Sequence, residues 1–183
     1  MKGIVFTEFL AMVEARSGFD VVDSMIERSG VPNKGAYAAT GTYPCQELMA
    51  MVGALSAMTN TSVPDLIRNY GKHLFSRLAA AFPQYVPRDP GLFPFLQSID
   101  GHIHVEVRRI YPDAELPSFT SRVSSGGECV ELEYRSPRRL DALALGLLEG
   151  AVEHFAEGVS IHQEALAGEP GTRFLNRRLR KVA

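Results

Sequence analysis

Cysteine is scarce in this chain: Cys45 and Cys129 are the only two. Two thiols cannot make a disulfide framework, and these lack the CxxC or clustered His/Cys spacing of a zinc site. They are expected to stay free in a reducing cytosol. Long apolar runs are missing as well. The N-terminus reaches Thr7 and Glu8 before a signal-peptide core can build, and the longest apolar stretch, residues 140–152, is broken by Asp141 and Glu149. A soluble, cytoplasmic protein without membrane contact is expected. Neither charge is in excess: 19 basic and 21 acidic residues leave a net charge of -2. That balance argues against nucleic acid or an anionic membrane as partner and favours a small neutral ligand or another protein. Internal repeats and low-complexity segments are absent too.

What is present suffices for one core. Apolar residues make up 45% of the 183, so residues 1–183 are expected to form a single domain, a sensor or binding unit whose output lies elsewhere. Phe6, Phe9, Leu10 and Val13 recur at helical spacing before Gly18, and Val22, Met25 and Ile26 do so before Gly30. Leu48, Val52 and Leu55 mark a third helix. A fourth carries the clearest start signal, Ser62 before Pro64 and Asp65, and its Ile67, Tyr70, Leu74 and Leu78 form one apolar stripe. After a proline-punctuated stretch, a long helix is expected over 95–111, ending before Pro112. The period then changes to alternation over 118–124 and 128–134 around Ser125-Gly126-Gly127, a hairpin pattern. A helix is expected over 139–156 and two last strands over 159–166 and 173–179, joined by the turn-rich residues 168–171. This order argues for an α+β fold: a helical N-terminal half packed with an antiparallel sheet of about four strands and flanking helices.

Two segments carry candidate chemistry. Among the five histidines only His102 and His104 are close in sequence. Two residues apart on a helix they point about 200° away from each other, so they cannot serve one metal together. The stripe Leu96, Ile99, Ile103, Val107 and Ile110 runs between their faces, and periodicity does not choose one. The second segment is Tyr134-Arg135-Ser136-Pro137-Arg138. If extended, it aligns a phenol, a hydroxyl and a guanidinium on one face, a row suited to a carboxylate or phosphate. Pro137 points to a strand end or edge, where a ligand can approach.

Together these segments resemble the H-NOX (haem-nitric oxide/oxygen binding) family, which includes the haem domain of soluble guanylate cyclase. The likeness lies in the Met1-Lys2-Gly3 start, in His104 followed by Tyr111-Pro112 and Leu116-Pro117-Ser118-Phe119, in the Tyr134, Ser136 and Arg138 spacing, and in the run at residues 145–150. It extends over roughly residues 1–165. It implies a haem b (iron protoporphyrin IX) buried between a helical distal part, about 1–65, and a proximal part with the sheet, about 66–183. His104 would be the iron ligand, Tyr134, Ser136 and Arg138 would hold the propionates, and Pro117 would press on the haem. His102 keeps no assigned role.

The resemblance also places Val5, Phe9, Leu74, Leu78 and Leu143 on the distal side, all apolar. Bound dioxygen gains most from a hydrogen-bond donor, whereas nitric oxide binds ferrous haem without one. The family's dioxygen binders carry a distal tyrosine where Leu143 stands here, so nitric oxide and carbon monoxide are the expected ligands. A donor from Tyr70 or a loop remains the alternative. The expected role is a sensor, not an enzyme, signalling to a separate histidine kinase or cyclic-dinucleotide enzyme as nitric oxide weakens the iron–histidine bond and frees the helix. The rivals are a dioxygen-binding or redox haem protein, a peroxidase-like catalyst, for which the expected pocket lacks acid/base groups, and a haemless interaction module. The basic end from Phe174 to Lys181 reads as an exposed edge strand or a docking surface.

Overall fold

The computed structural model describes residues 1–167 and 170–179. Four helices open the chain: α1 (Gly3–Ser17), α2 (Phe19–Ser29), α3 (Cys45–Thr59) and α4 (Val63–Ala81). The start of α4 matches its sequence signal, since Ser62 Oγ accepts the Asp65 N–H at 3.2 Å and Pro64 sits in the first turn. Its stripe is buried, with Ile67, Tyr70 and Leu74 at most 3% exposed. These helices close over one core, containing Phe6, Phe9, Met12, Met25, Leu48, Met51 and Val52.

The helix expected over 95–111 is broken in three. Short helices α5 (Leu92–Ser98) and α6 (His104–Ile110) flank a π-helical turn, Ile99–Ile103. The start comes earlier than expected because Pro94 falls in the first turn of α5, where its missing N–H costs no intrahelical bond. The π turn widens the backbone directly before His104.

Strands β1 (Ser118–Val123), β2 (Cys129–Arg135), β3 (Val159–Ala165) and β4 (Thr172–Arg178) form one antiparallel sheet in the order β1-β2-β4-β3. The last strand is therefore interior, not the exposed edge that its basic residues suggested. Those charges are answered by neighbouring strands: Arg173 lies 3.0 Å from Glu131, 3.1 Å from Glu133 and 3.1 Å from Glu164. Arg178 pairs with Glu157 and stacks over the Phe93 ring. Arg180 and Lys181 lie outside the described residues, as do two residues of the 168–171 turn.

A second core, containing Phe75, Leu92, Phe93, Phe95, Leu96, Leu132, Phe155 and Phe174, fills the space between the sheet, α5 and α7 (Asp141–Phe155). Helices α4 and α7 each supply both cores. They touch backbone to backbone: a Cβ on Gly146 would fall on the Arg68 carbonyl oxygen and 2.9 Å from Gly71 Cα. Only glycine allows this approach.

Candidate functional site

His104 opens α6 with a side chain only 12% exposed. Its Nδ1 faces Asp100 Oδ1 at 3.3 Å. A carboxylate only accepts, so the proton belongs on Nδ1, and Nε2 keeps its lone pair for a metal. Burial pushes the His104 pKa down, against the raising effect of Asp100 and of the Pro117 backbone, and Arg108 pushes it further down. The ring is thus a neutral imidazole at neutral pH, the form a soft iron centre takes. His102 is exposed, and its ring lies edge-on to Tyr85 with the centroids 6.3 Å apart.

From His104 a ladder of rings crosses to the sheet. His104 and Phe119 centroids are 5.8 Å apart, Phe119 and Tyr134 5.4 Å, and Tyr134 and Phe174 6.4 Å. Pairing of Phe119 with Tyr134 across β1 and β2 fixes this placement. Tyr134 is 4% exposed. Burial raises its phenol pKa above the ordinary value, opposed by hydrogen bonds from the Ser136 side chain and the Leu140 backbone.

The expected extended row does not continue past Tyr134. Strand β2 stops at Arg135, and a turn closed by the Arg139 N–H on the Ser136 carbonyl follows at 3.2 Å. Ser136 Oγ accepts the Arg138 N–H at 3.2 Å, a local bond that outcompetes the ladder where Pro137 offers no donor. The turn still gathers the three groups. Arg138, its side chain 16% exposed, holds the exposed Glu115: Nη1 donates to the backbone carbonyl at 2.7 Å and Nη2 to the carboxylate. The Met1 ammonium and Cys45 lie in the same electrostatic neighbourhood.

The apolar set is assembled by α1, α4 and α7. Phe9, Leu74 and Leu143 are buried in the helical core, and Val5 and Leu78 pack against it. Tyr70 is fully buried among them, and its hydroxyl donates to the Val5 carbonyl. Its only proton is therefore already committed.

A family model described as Haem-NO-binding (HNOB) matches residues 2–163. The chain belongs to the haem-NO-binding family. An H-NOX protein from K. algicida, solved in the Fe(II) unliganded state, is 35% identical; the likeness covers 100% of this chain and 99% of that one, with a TM-score of 0.90. An H-NOX protein from S. oneidensis in the Fe(II)NO ligation state is 27% identical, over 98% and 100% of the two chains, with a TM-score of 0.90. The H-NOX from Shewanella woodyi in the Fe(II)CO ligation state, bound to IWP-051, is 34% identical over 100% and 97%, with a TM-score of 0.85. No curated protein matches.

The haem implied by H-NOX membership fits the donors present. A buried imidazole offers Nε2, and a mostly buried guanidinium already grips a carboxylate, the chemical class of a propionate. Among the described residues no group of three or more His, Cys, Asp or Glu could hold a bare metal ion. Sequence reasoning missed Asp100, Phe119 and Glu115. The i, i+4 spacing from Asp100 to His104 was a signal, because residues four apart share a helix face. Nothing local marked Glu115 as the partner of Arg138, 23 residues away.

Proposed function

We propose that this chain is a haem-based gas sensor that holds one haem b, responds to nitric oxide and carbon monoxide, and signals to a separate protein. The observation that carries this reading is the His104 imidazole: mostly buried, with Nδ1 facing Asp100 at 3.3 Å and the Pro117 backbone beside the ring, and linked by Phe119 to the Tyr134 turn. When bound, ferrous haem supplies an open coordination position for a diatomic gas.

The chain's own residues do the rest. His104 is the ligand through Nε2. Arg138 exchanges the Glu115 carboxylate for a propionate, with Tyr134 and Ser136 beside it, since carboxylates brought against an apolar pocket must be paired. Pro117 stands next to the His104 ring through its backbone and is assigned a steering contact there. Val5, Phe9, Leu74, Leu78 and Leu143 exclude water and present no donor, and the Tyr70 hydroxyl is spent on Val5. Such a distal side favours nitric oxide and carbon monoxide over dioxygen. The relatives solved in NO- and CO-ligated ferrous states support the choice of gases.

Apart from the His104 side chain, which is 12% exposed, the π turn and α6 contribute little to either core. Release of the His104 side chain would therefore remove a principal anchor of this segment and let it move at low cost. A partner reads that movement only if it binds the two positions with different affinity. A histidine kinase or a cyclic-dinucleotide enzyme is the partner the resemblance favours. In this reading the chain acts as one cytoplasmic sensor unit with no catalysis of its own. Among the described residues no helix is long and apolar enough to cross a membrane.

A visible spectrum tests the proposal. A Soret band in the purified protein, abolished in His104→Ala and weakened in Arg138→Ala, supports it; colourless protein expressed with ample haem refutes it. The ferrous band should shift on adding nitric oxide or carbon monoxide and show no stable dioxygen adduct in air. An air-stable adduct would overturn the role given to Leu143.

A further inference from the structure

We infer that Asp100 is a positioning residue for His104, fixing the ring's tautomer and raising the donor strength of Nε2 while tying the ring to the sheet. The inference rests on His104 being the haem ligand and extends that reading by one residue. Asp100 Oδ1 lies 3.3 Å from His104 Nδ1 and accepts the Phe119 N–H at 3.2 Å. One oxygen atom thus joins the π turn, the imidazole and strand β1.

Each partner needs this oxygen. Strand β1 is an edge, paired only with β2, so a backbone N–H facing away from β2 must find an acceptor elsewhere. The imidazole Nδ1–H, 12% exposed with its ring, needs one too. An acceptor that carries negative charge draws the proton and gives the ring partial imidazolate character, which strengthens the opposite nitrogen as a donor. A backbone carbonyl or amide in the same place would do this less. The shared oxygen also couples movements: His104 cannot leave its seat without breaking a contact that holds the end of β1 near Phe119.

The test uses the haem-loaded, ferrous, unliganded protein and its resonance Raman iron–imidazole stretch. Asp100→Asn keeps an oxygen for the Phe119 N–H and removes only the charge. The expected result is a retained Soret band with the stretch moved to lower wavenumber; superimposable bands overturn the inference while leaving the haem assignment intact. Should that variant fail to fold, His104→Gly protein with Asp100 untouched is supplied with imidazole or 1-methylimidazole, which lacks the N–H. Imidazole is expected to bind on the order of 10-fold more tightly, and equal affinity overturns the inference. A parent protein with no Soret band at all sinks the sensor reading, and this inference with it.

Discussion

The two cores of this molecule are built from different materials. The helical core is held by Met12, Met25 and Met51 with aliphatic partners and a few rings, and Met49 and Met58 pack around it. The sheet-side core has no methionine and is dominated by phenylalanines, with Phe75 set edge-on to Phe95 at 5.8 Å and Phe95 against Phe155 at 5.3 Å. Thioether chains with three rotatable bonds repack around a changing shape, whereas ring pairs hold preferred angles. The residues proposed to line the distal side belong to the adaptable core, and the ladder from His104 runs into the rigid one. Under the proposed function, a haem held between such halves would have one wall able to accommodate a gas and one able to transmit displacement.

The largest expected effect tests that contrast. Phe174 is fully buried, lies opposite Leu132 in the sheet and touches Tyr134. Phe174→Ala should cost about 4 kcal/mol and lower the melting temperature by on the order of 10 °C. Met51→Leu, at an equally buried site in the helical core, should cost under about 1.5 kcal/mol. Thermal melts followed by circular dichroism decide it. Equal losses would mean that the two cores are not mechanically distinct.

Next comes the crossing that joins them. Gly146→Ala drives a methyl group into the Arg68 carbonyl between α4 and α7, where both partners are backbone and neither can step aside. A loss of about 2–3 kcal/mol is expected. The same substitution at Gly53, in the exposed middle of α3 with nothing within 4 Å of the new atom, should instead stabilise by about 0.5–1 kcal/mol. Opposite signs from one chemical change would show that the two helices are held by contact distance. Two losses of similar size would show that the glycines matter only as backbone.

Much of this architecture was legible from the chain. The apolar stripes of α1 to α4 and the Ser62 cap are local patterns, and local patterns match the structure closely. The hairpin around Ser125-Gly126-Gly127 is equally local. What could not be read depends on distant partners. Strand β4 looks like an edge until Glu131, Glu133 and Glu164 are placed around Arg173, and strand order is set by β2–β4 pairings that join residues 38 to 48 apart. The π turn has only Gly101 to announce it, a weak signal inside a helical pattern. Of the candidate site, Tyr134, Ser136 and Arg138 stood out by their alternating spacing and His104 by the family resemblance, yet the fork of Arg138 on Glu115 needed the folded loop.

The smallest expected effect concerns a tie between the His104 side of the molecule and the start of α1. Asp113, in the loop after α6, accepts from Thr42 Oγ1 at 2.6 Å and lies 3.2 Å from Lys2 Nζ, which also sits over the Tyr111 ring. Those hydrogen bonds hold its carboxyl pKa below the ordinary value. The unfolded chain therefore takes up the proton first as pH falls, so the tie contributes fully above the ordinary carboxylate pKa and is lost as pH drops through the lower folded value. Because Asp113 is solvent-exposed, salt should screen the ion-pair part of it. The difference in urea midpoint between the parent and Asp113→Asn should accordingly be small and positive at neutral pH and low salt, shrink in concentrated salt, and vanish in acid. A difference that persisted in acid would assign the effect to packing of the loop rather than to charge, and the two halves would then be joined at this point by shape alone.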